Sequence, residues 1–183
     1  IRIDPRGHTR YCIVRPPWRR SGAGCDPSER EVTMSRYDEA LDRARAAMDD
    51  YDYEAAAAAY EEAYGATKVK AAFLEEYSAF LLDSFGKYPQ ALALLKGESK
   101  ALGKSVVLQR ALIRAAWYAE DVAAGLAALG AYPGAGLDDT DTGITAARLY
   151  MNAEDWSAAR GSLSEVLRKT PSHPDARKLL ERV

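Results

Sequence analysis

The sequence predicts an all-α chain, an α-solenoid of about four stacked antiparallel helix pairs closed by a C-terminal capping helix. Three observations lead there. Apolar residues recur at helical spacing from residue 34 to the end. A short composite pattern returns four times at nearly equal intervals, its apolar member standing at Tyr53, Tyr88, Val122 and Trp156. Strand-like alternation is absent from the same stretch.

The chain has 183 residues, 48% apolar and 28% charged, with a net charge of -2. That composition is ordinary for a folded globular chain and too apolar for wholesale disorder. The average hides an asymmetry. Residues 1–25 hold six Arg (Arg2, Arg6, Arg10, Arg15, Arg19, Arg20) against Asp4, whereas residues 34–183 hold 18 Lys+Arg against 23 Asp+Glu. The overall balance carries no electrostatic footprint of a nucleic-acid partner. No run of 18 apolar residues is present, and the N-terminus lacks the apolar core of a signal peptide, so no membrane span and a cytoplasmic location are expected.

Residues 1–33 read as a basic, Pro-, Gly- and Arg-rich extension, poorly ordered, with Met34 as the natural start of the folded unit. A linker, a tail or a misassigned start would each produce this pattern. Cys12 and Cys25 read as free thiols, because no second ligand pair follows at zinc spacing and His8 is the one His nearby. The basic segment around Trp18, Arg-Pro-Pro-Trp-Arg-Arg, reads as an unstructured tail, with a peptide ligand or RNA-attracting tail as the alternative.

The helices follow in order. Ser35 suits an N-cap, and Tyr37, Leu41, Ala44, Met48 and Tyr51 then step by four and three along one face. Tyr53, Ala56, Tyr60 and Ala63 make a second face. Val69–Phe85 is a long apolar helix and Pro89–Lys96 a short one. Lys104–Ala119, Val122–Leu129, Thr142–Asn152 and Trp156–Arg168 come next. Pro174–Val183 alternates charge with a narrow stripe of Ala176, Leu179 and Leu180, as a capping helix requires.

The repeat lies in the second helix of each pair. The segments starting at Asp52, Lys87, Asp121 and Asp155 each carry an apolar residue second (Tyr53, Tyr88, Val122, Trp156). A small residue follows three later (Ala56, Ala91, Gly125, Ala159), and a larger apolar one four further on (Tyr60, Leu95, Leu129, Leu163). Small residues let paired helices approach closely, and the bulky ones fill the gap beside the turn. A single pair cannot bury both its faces, so neighbours must stack.

This pattern resembles the tetratricopeptide repeat family, whose unit is about 34 residues long. The family's second helix begins G-[DN]-[YF]-x-x-A-x-x-x-[YF]-x-x-A. Asp52, Tyr53, Ala56, Tyr60 and Ala63 match it, as do Gly86, Tyr88, Ala91 and Leu95. Asp155, Trp156, Ala159 and Leu163 match in the fourth unit, with Pro171 at the family's closing Pro. The third unit departs most, with Glu120 and Gly125 in place of Gly and Ala, and the first helices lack the Trp-Leu-Gly signature. The resemblance spans residues 34–183, in approximate pairs 34–66, 67–101, 102–136 and 137–171 with a cap at 172–183.

No catalytic constellation, metal site or cofactor motif is expected. His8 and His173 lie at opposite ends of the chain. Asp138, Asp139 and Asp141 lack calcium-loop spacing and read as a loop leading into a helix N-terminus. Arg110, Arg114 and Trp117 fall at i, i+4 and i+7, one stripe of one helix. The resemblance implies a groove lined by the first helices, with Arg45, Arg110, Arg114, Trp117, Arg148 and Asn152 as its ligand-facing candidates. It implies a protein or peptide partner, of acidic character if the guanidiniums face it. A regulatory or structural module of a larger complex is the alternative. Self-association stays open, since repeat arrays expose their end faces.

Overall fold

The structure is a computed structural model that describes residues 2–3, 9–10, 35–66, 71–135 and 139–183. The chain divides into two compact units, Ile1–Thr33 and Met34–Val183. In the first, β1 (Arg2–Ile3) pairs antiparallel with β2 (Thr9–Arg10), Arg2 opposite Arg10 and Ile3 opposite Thr9. Two residues a side are too few to register as alternation in the sequence. The expectations for Cys12, Cys25, Asp138 and the Trp18 segment lie outside the described residues.

The second unit is all-α, and its helices pack in adjacent pairs. The pairs are α1 (Arg36–Asp49) with α2 (Tyr53–Ala66), α3 (Ala71–Ala79) with α4 (Tyr88–Gly97), α6 (Val106–Tyr118) with α7 (Val122–Ala131), and α8 (Thr140–Asn152) with α9 (Trp156–Lys169). The short α5 (Ser99–Leu102) bridges the second and third pairs, and α10 (Pro174–Leu180) closes the series against α9.

The turn inside each pair is the same device four times. Tyr51, Gly86, Glu120 and Glu154 have φ of 59°, 66°, 58° and 60°. Their spacing repeats the sequence period. In the first, third and fourth turns the next N–H reaches back five residues: Asp52 to the Ala47 carbonyl at 2.8 Å, Asp121 to Ala116 at 2.9 Å, and Asp155 to Tyr150 at 2.9 Å. This is the six-to-one bond of a Schellman motif, which satisfies a carbonyl left over at the helix end. The same three Asp then cap the second helix, accepting from the N–H of Ala55, Ala124 and Ala158. Lys87 offers no such cap, and Pro89 in the first turn of α4 removes one of the N–H groups that would need it.

The first interval is one residue longer than the others, and the extra residue coincides with a π turn. Instead of one helix to Phe85, the chain passes from α3 into a π turn at Phe80–Ser84. There the Phe85 N–H bonds to the Phe80 carbonyl at 2.9 Å, and Lys87 reaches back six residues to Leu81 at 2.8 Å. A π turn lodges one additional residue without breaking the helix.

Ala56, Ala91 and Ala159 are fully buried, and Gly125 is buried too. A Cβ on Gly125 would lie 2.6 Å from Leu149 Cδ2 and 2.7 Å from Cδ1, and Leu149 is itself fully buried. The third pair therefore carries Gly because the fourth packs closer to it than an Ala would allow. Tyr60, Leu95, Leu129 and Leu163 are also buried. Trp156 departs from the expected gap-filling role, with 48% of its surface exposed. Its counterparts Tyr53 and Tyr88 meet rings of the pair that follows, Phe85 and Tyr118. Among the described residues no ring meets Trp156 in that way, and α10 packs on α9 with Ala176 in one buried cluster with Leu163 and Val166.

Two pairs of substitutions check this packing by denaturant unfolding. Glu120→Gly should raise stability by about 0.5–1 kcal/mol by removing a left-handed non-Gly residue, and Gly86→Ala should lower it by about 1 kcal/mol. Gly125→Ala should cost about 1 kcal/mol, overpacking against Leu149 outweighing the gain in helix propensity. Gly161→Ala, with nothing within 4 Å of the new methyl, should gain up to about 1 kcal/mol.

Candidate functional site

Consecutive first helices are tied to each other by polar side chains. Arg45 on α1 forks onto Glu76 of α3, Nε to Oε1 at 2.9 Å and Nη2 to Oε2 at 2.7 Å, and the Tyr60 hydroxyl donates to the same carboxylate at 3.0 Å. Arg114 of α6 bonds Asp83 in the π turn. Both ion pairs span 31 residues, one repeat less about one helical turn. Ser105, the N-cap of α6, donates to Glu75 of α3 at 2.6 Å. The Arg148 guanidinium of α8 lies 5.9 Å over the Trp117 ring of α6.

Beneath α1 and α2 the same junction is aromatic. Tyr37, Tyr60, Tyr64, Phe73, Tyr77 and Phe80 make a continuous set of ring contacts; Tyr60 stacks on Tyr77 at 5.2 Å and Tyr37 meets Phe73 edge-on at 5.7 Å. Burial, reinforced by Glu76, pushes the Tyr60 hydroxyl well above its ordinary value. The Arg45 hydrogen bond, against the opposing effect of burial, holds the Glu76 carboxyl below its own.

A cleft of about 590 Å³ opens where α3, the π turn, α6, α8 and the start of α10 converge. Arg110, Arg114 and Arg148 line it together. Arg45 is not among them: α1, which carries it, contributes no residue to the cleft, and its guanidinium is held by Glu76. Trp117 and Asn152 line a smaller neighbouring cavity of about 450 Å³, with Tyr118 common to both.

The guanidiniums do not face the cleft alone. Glu75, Asp83, Asp139, Asp141 and Asp175 line it as well. Asp139 caps α8, accepting from the Thr142 N–H at 2.8 Å. Burial raises its pKa, but the Thr142 hydrogen bonds and the nearby Arg110 and Arg114 outweigh that and hold it below the ordinary value. The three Arg are therefore engaged to different degrees. Arg114 is ion-paired to Asp83, and Arg110 Nε donates to the Ala135 carbonyl at 3.1 Å while lying close to Asp139. Arg148 makes its contact with the Trp117 ring and is in no ion pair among the described residues. The sequence marks Asp139 and Asp141 only as the approach to a helix N-terminus, and following one helix at a time places none of the five carboxylates beside the guanidiniums. The 31-residue offset between Arg and acid would have found Asp83.

Among the described residues no group of three or more His, Cys, Asp or Glu is placed to hold a metal ion. Nor is any of their helices long and apolar enough to cross a membrane. The fold and cleft of residues 34–183 define a class, an all-α unit of repeat-like helix pairs with a polar cleft lined mainly by its first helices. No family model, curated protein or solved structure matches this chain.

The Arg45–Glu76–Tyr60 link makes a prediction about pH. Because the folded state keeps the Glu76 carboxyl below its ordinary value of 4.5, its contribution is complete above that value. It is lost as the pH falls through the lower folded-state value. Glu76→Ala should cost about 1–2 kcal/mol at pH 7, from the lost exposed ion pair and an unpaired Tyr60 hydroxyl. The stability of the Glu76→Gln variant should fall less steeply than wild type below about pH 4.5 in acid titrations followed by circular dichroism.

Proposed function

We propose that residues 34–183 are a protein-interaction module of the tetratricopeptide kind, which takes a segment of a partner protein against its first helices. The recurrence of turn and small residue in one register, the small residue at Ala56, Ala91, Gly125 and Ala159, with an Asp cap in three of the four pairs, supports the repeat reading. The observation that carries the binding reading is the cleft itself, an open site where three guanidiniums converge from two helices. A site of this size with charged groups and an adjoining indole suits a short segment with a few anchoring side chains.

The charge pattern narrows the ligand. Five carboxylates against three guanidiniums repel a run of acidic residues. Arg114 becomes available only by exchange with Asp83, and an exposed pair gives up little in such an exchange. Arg148, stacked over Trp117 and in no described ion pair, is the open anchor. A segment with one well-placed carboxylate beside an apolar side chain fits this arrangement, the carboxylate forked by Arg148.

Peptide display against the full chain tests the proposal. Selected peptides should carry a carboxylate, and Arg148→Ala should weaken them at least tenfold and flatten their salt dependence. Arg110→Ala with Arg114→Ala should weaken them less, and Arg45→Ala hardly at all. Affinities unchanged in all of these variants would remove the cleft from consideration.

A further inference from the structure

One junction between helix pairs lacks a ring that the earlier two possess. Tyr53 lies 6.5 Å from both Phe80 and Phe85 of the next pair, and Tyr88 stacks on Tyr118 with ring centres 4.9 Å apart. Advancing the Tyr88–Tyr118 pair by one repeat gives Val122 and Asn152. A stacked ring pair is thus replaced by a small aliphatic residue and an amide. At that place lies the cavity of about 450 Å³ bounded by Trp117, Tyr118, Glu120, Val122 and Asn152. Tyr118, covered by Tyr88 on one side, still has 49% of its surface exposed.

We infer that this cavity is a subsite for an aromatic side chain of a partner, a tyrosine-like ring seated where the third repeat leaves out its own. Trp117 and Tyr118 offer ring surfaces for offset or edge contact, and Val122 offers apolar contact. Glu120 at the cavity disfavours a second carboxylate and suits a phenolic O–H donor. The chain already makes that match twice: Tyr60 donates to Glu76 at 3.0 Å and Tyr64 to Glu98 at 2.7 Å. The subsite adjoins the cleft, because Tyr118 lines both and Trp117 carries Arg148. A segment whose carboxylate meets Arg148 would bring a neighbouring ring to the cavity; this last link alone rests on the function proposed above.

The test uses the full chain and p-cresol, the tyrosine side chain as a free, uncharged molecule, followed through the Trp117 indole N–H resonance. That resonance is assigned with Trp117→Phe. In wild type the resonance should shift saturably with p-cresol. Val122→Tyr supplies the missing ring from within, so it should keep the fold, melt no lower than wild type, and bind p-cresol at least tenfold more weakly. Asn152→Tyr fills the same space from the opposite helix and decides the matter if Val122→Tyr does not fold. A Trp117 resonance indifferent to p-cresol, or binding as tight in both filled variants as in wild type, overturns the inference. Arg148→Ala separates this proposal from the cleft reading. If p-cresol binding survives that change while peptide binding never depended on Arg148, the subsite stands and the cleft anchor falls. If peptides need Arg148 but p-cresol does not bind, the reverse holds.

Discussion

The structure of residues 34–183 depends on a left-handed turn made four times. One residue with φ near +60° ends each first helix, and in three of the four turns the next N–H closes a Schellman bond. That geometry reverses the chain in a fixed number of residues. It therefore sets which residue caps the second helix, which ring stands beside the turn, and which position must be small. This conformation costs a non-Gly residue about 1–2 kcal/mol, and three of the four turns bear it. Stacking between neighbouring pairs offsets that cost, since each pair buries its face only against the next.

The departures from the repeat account for the features that a regular array would lack. The additional residue in the first interval coincides with a π turn, and that turn carries Asp83 to Arg114. The Val at position 122, where the earlier units have Tyr, leaves a cavity beside Trp117. Gly125 admits Leu149 where the other three units keep Ala. The third pair, least like its siblings in sequence, is also where both cavities meet.

Much of this architecture was legible from residue spacing. The apolar–small–large pattern marked all four second helices, because each of its residues answers to one local constraint, a gap or a close approach beside a turn. Ser35 was legible as a cap, and the acidic approach to α8 as a helix N-terminus, for the same reason. What escaped were features set by two helices at once. The π turn at Phe80–Ser84 leaves no compositional mark beyond one interval that is longer than its successors. The short α5 hides in a stretch rich in Lys, Ser and Gly. Arg45, Arg110 and Arg114 looked open on their own helices, yet Glu76, Asp83 and Asp139 sit opposite or close by on neighbouring elements. Trp156 looked like core from its register, but among the described residues no ring stands against it as Phe85 and Tyr118 stand against Tyr53 and Tyr88, and it is 48% exposed.

The central claim is that four turns of one kind recur in register, and the most direct measurement is of the backbone at those turns. In a nuclear magnetic resonance experiment, a residue with positive φ gives a strong cross-peak between its own amide and α protons. The account expects strong intraresidue peaks at Tyr51, Glu120 and Glu154, alongside Gly86 in the same conformation. Weak peaks at those three positions, like those of the helical residues around them, would contradict it.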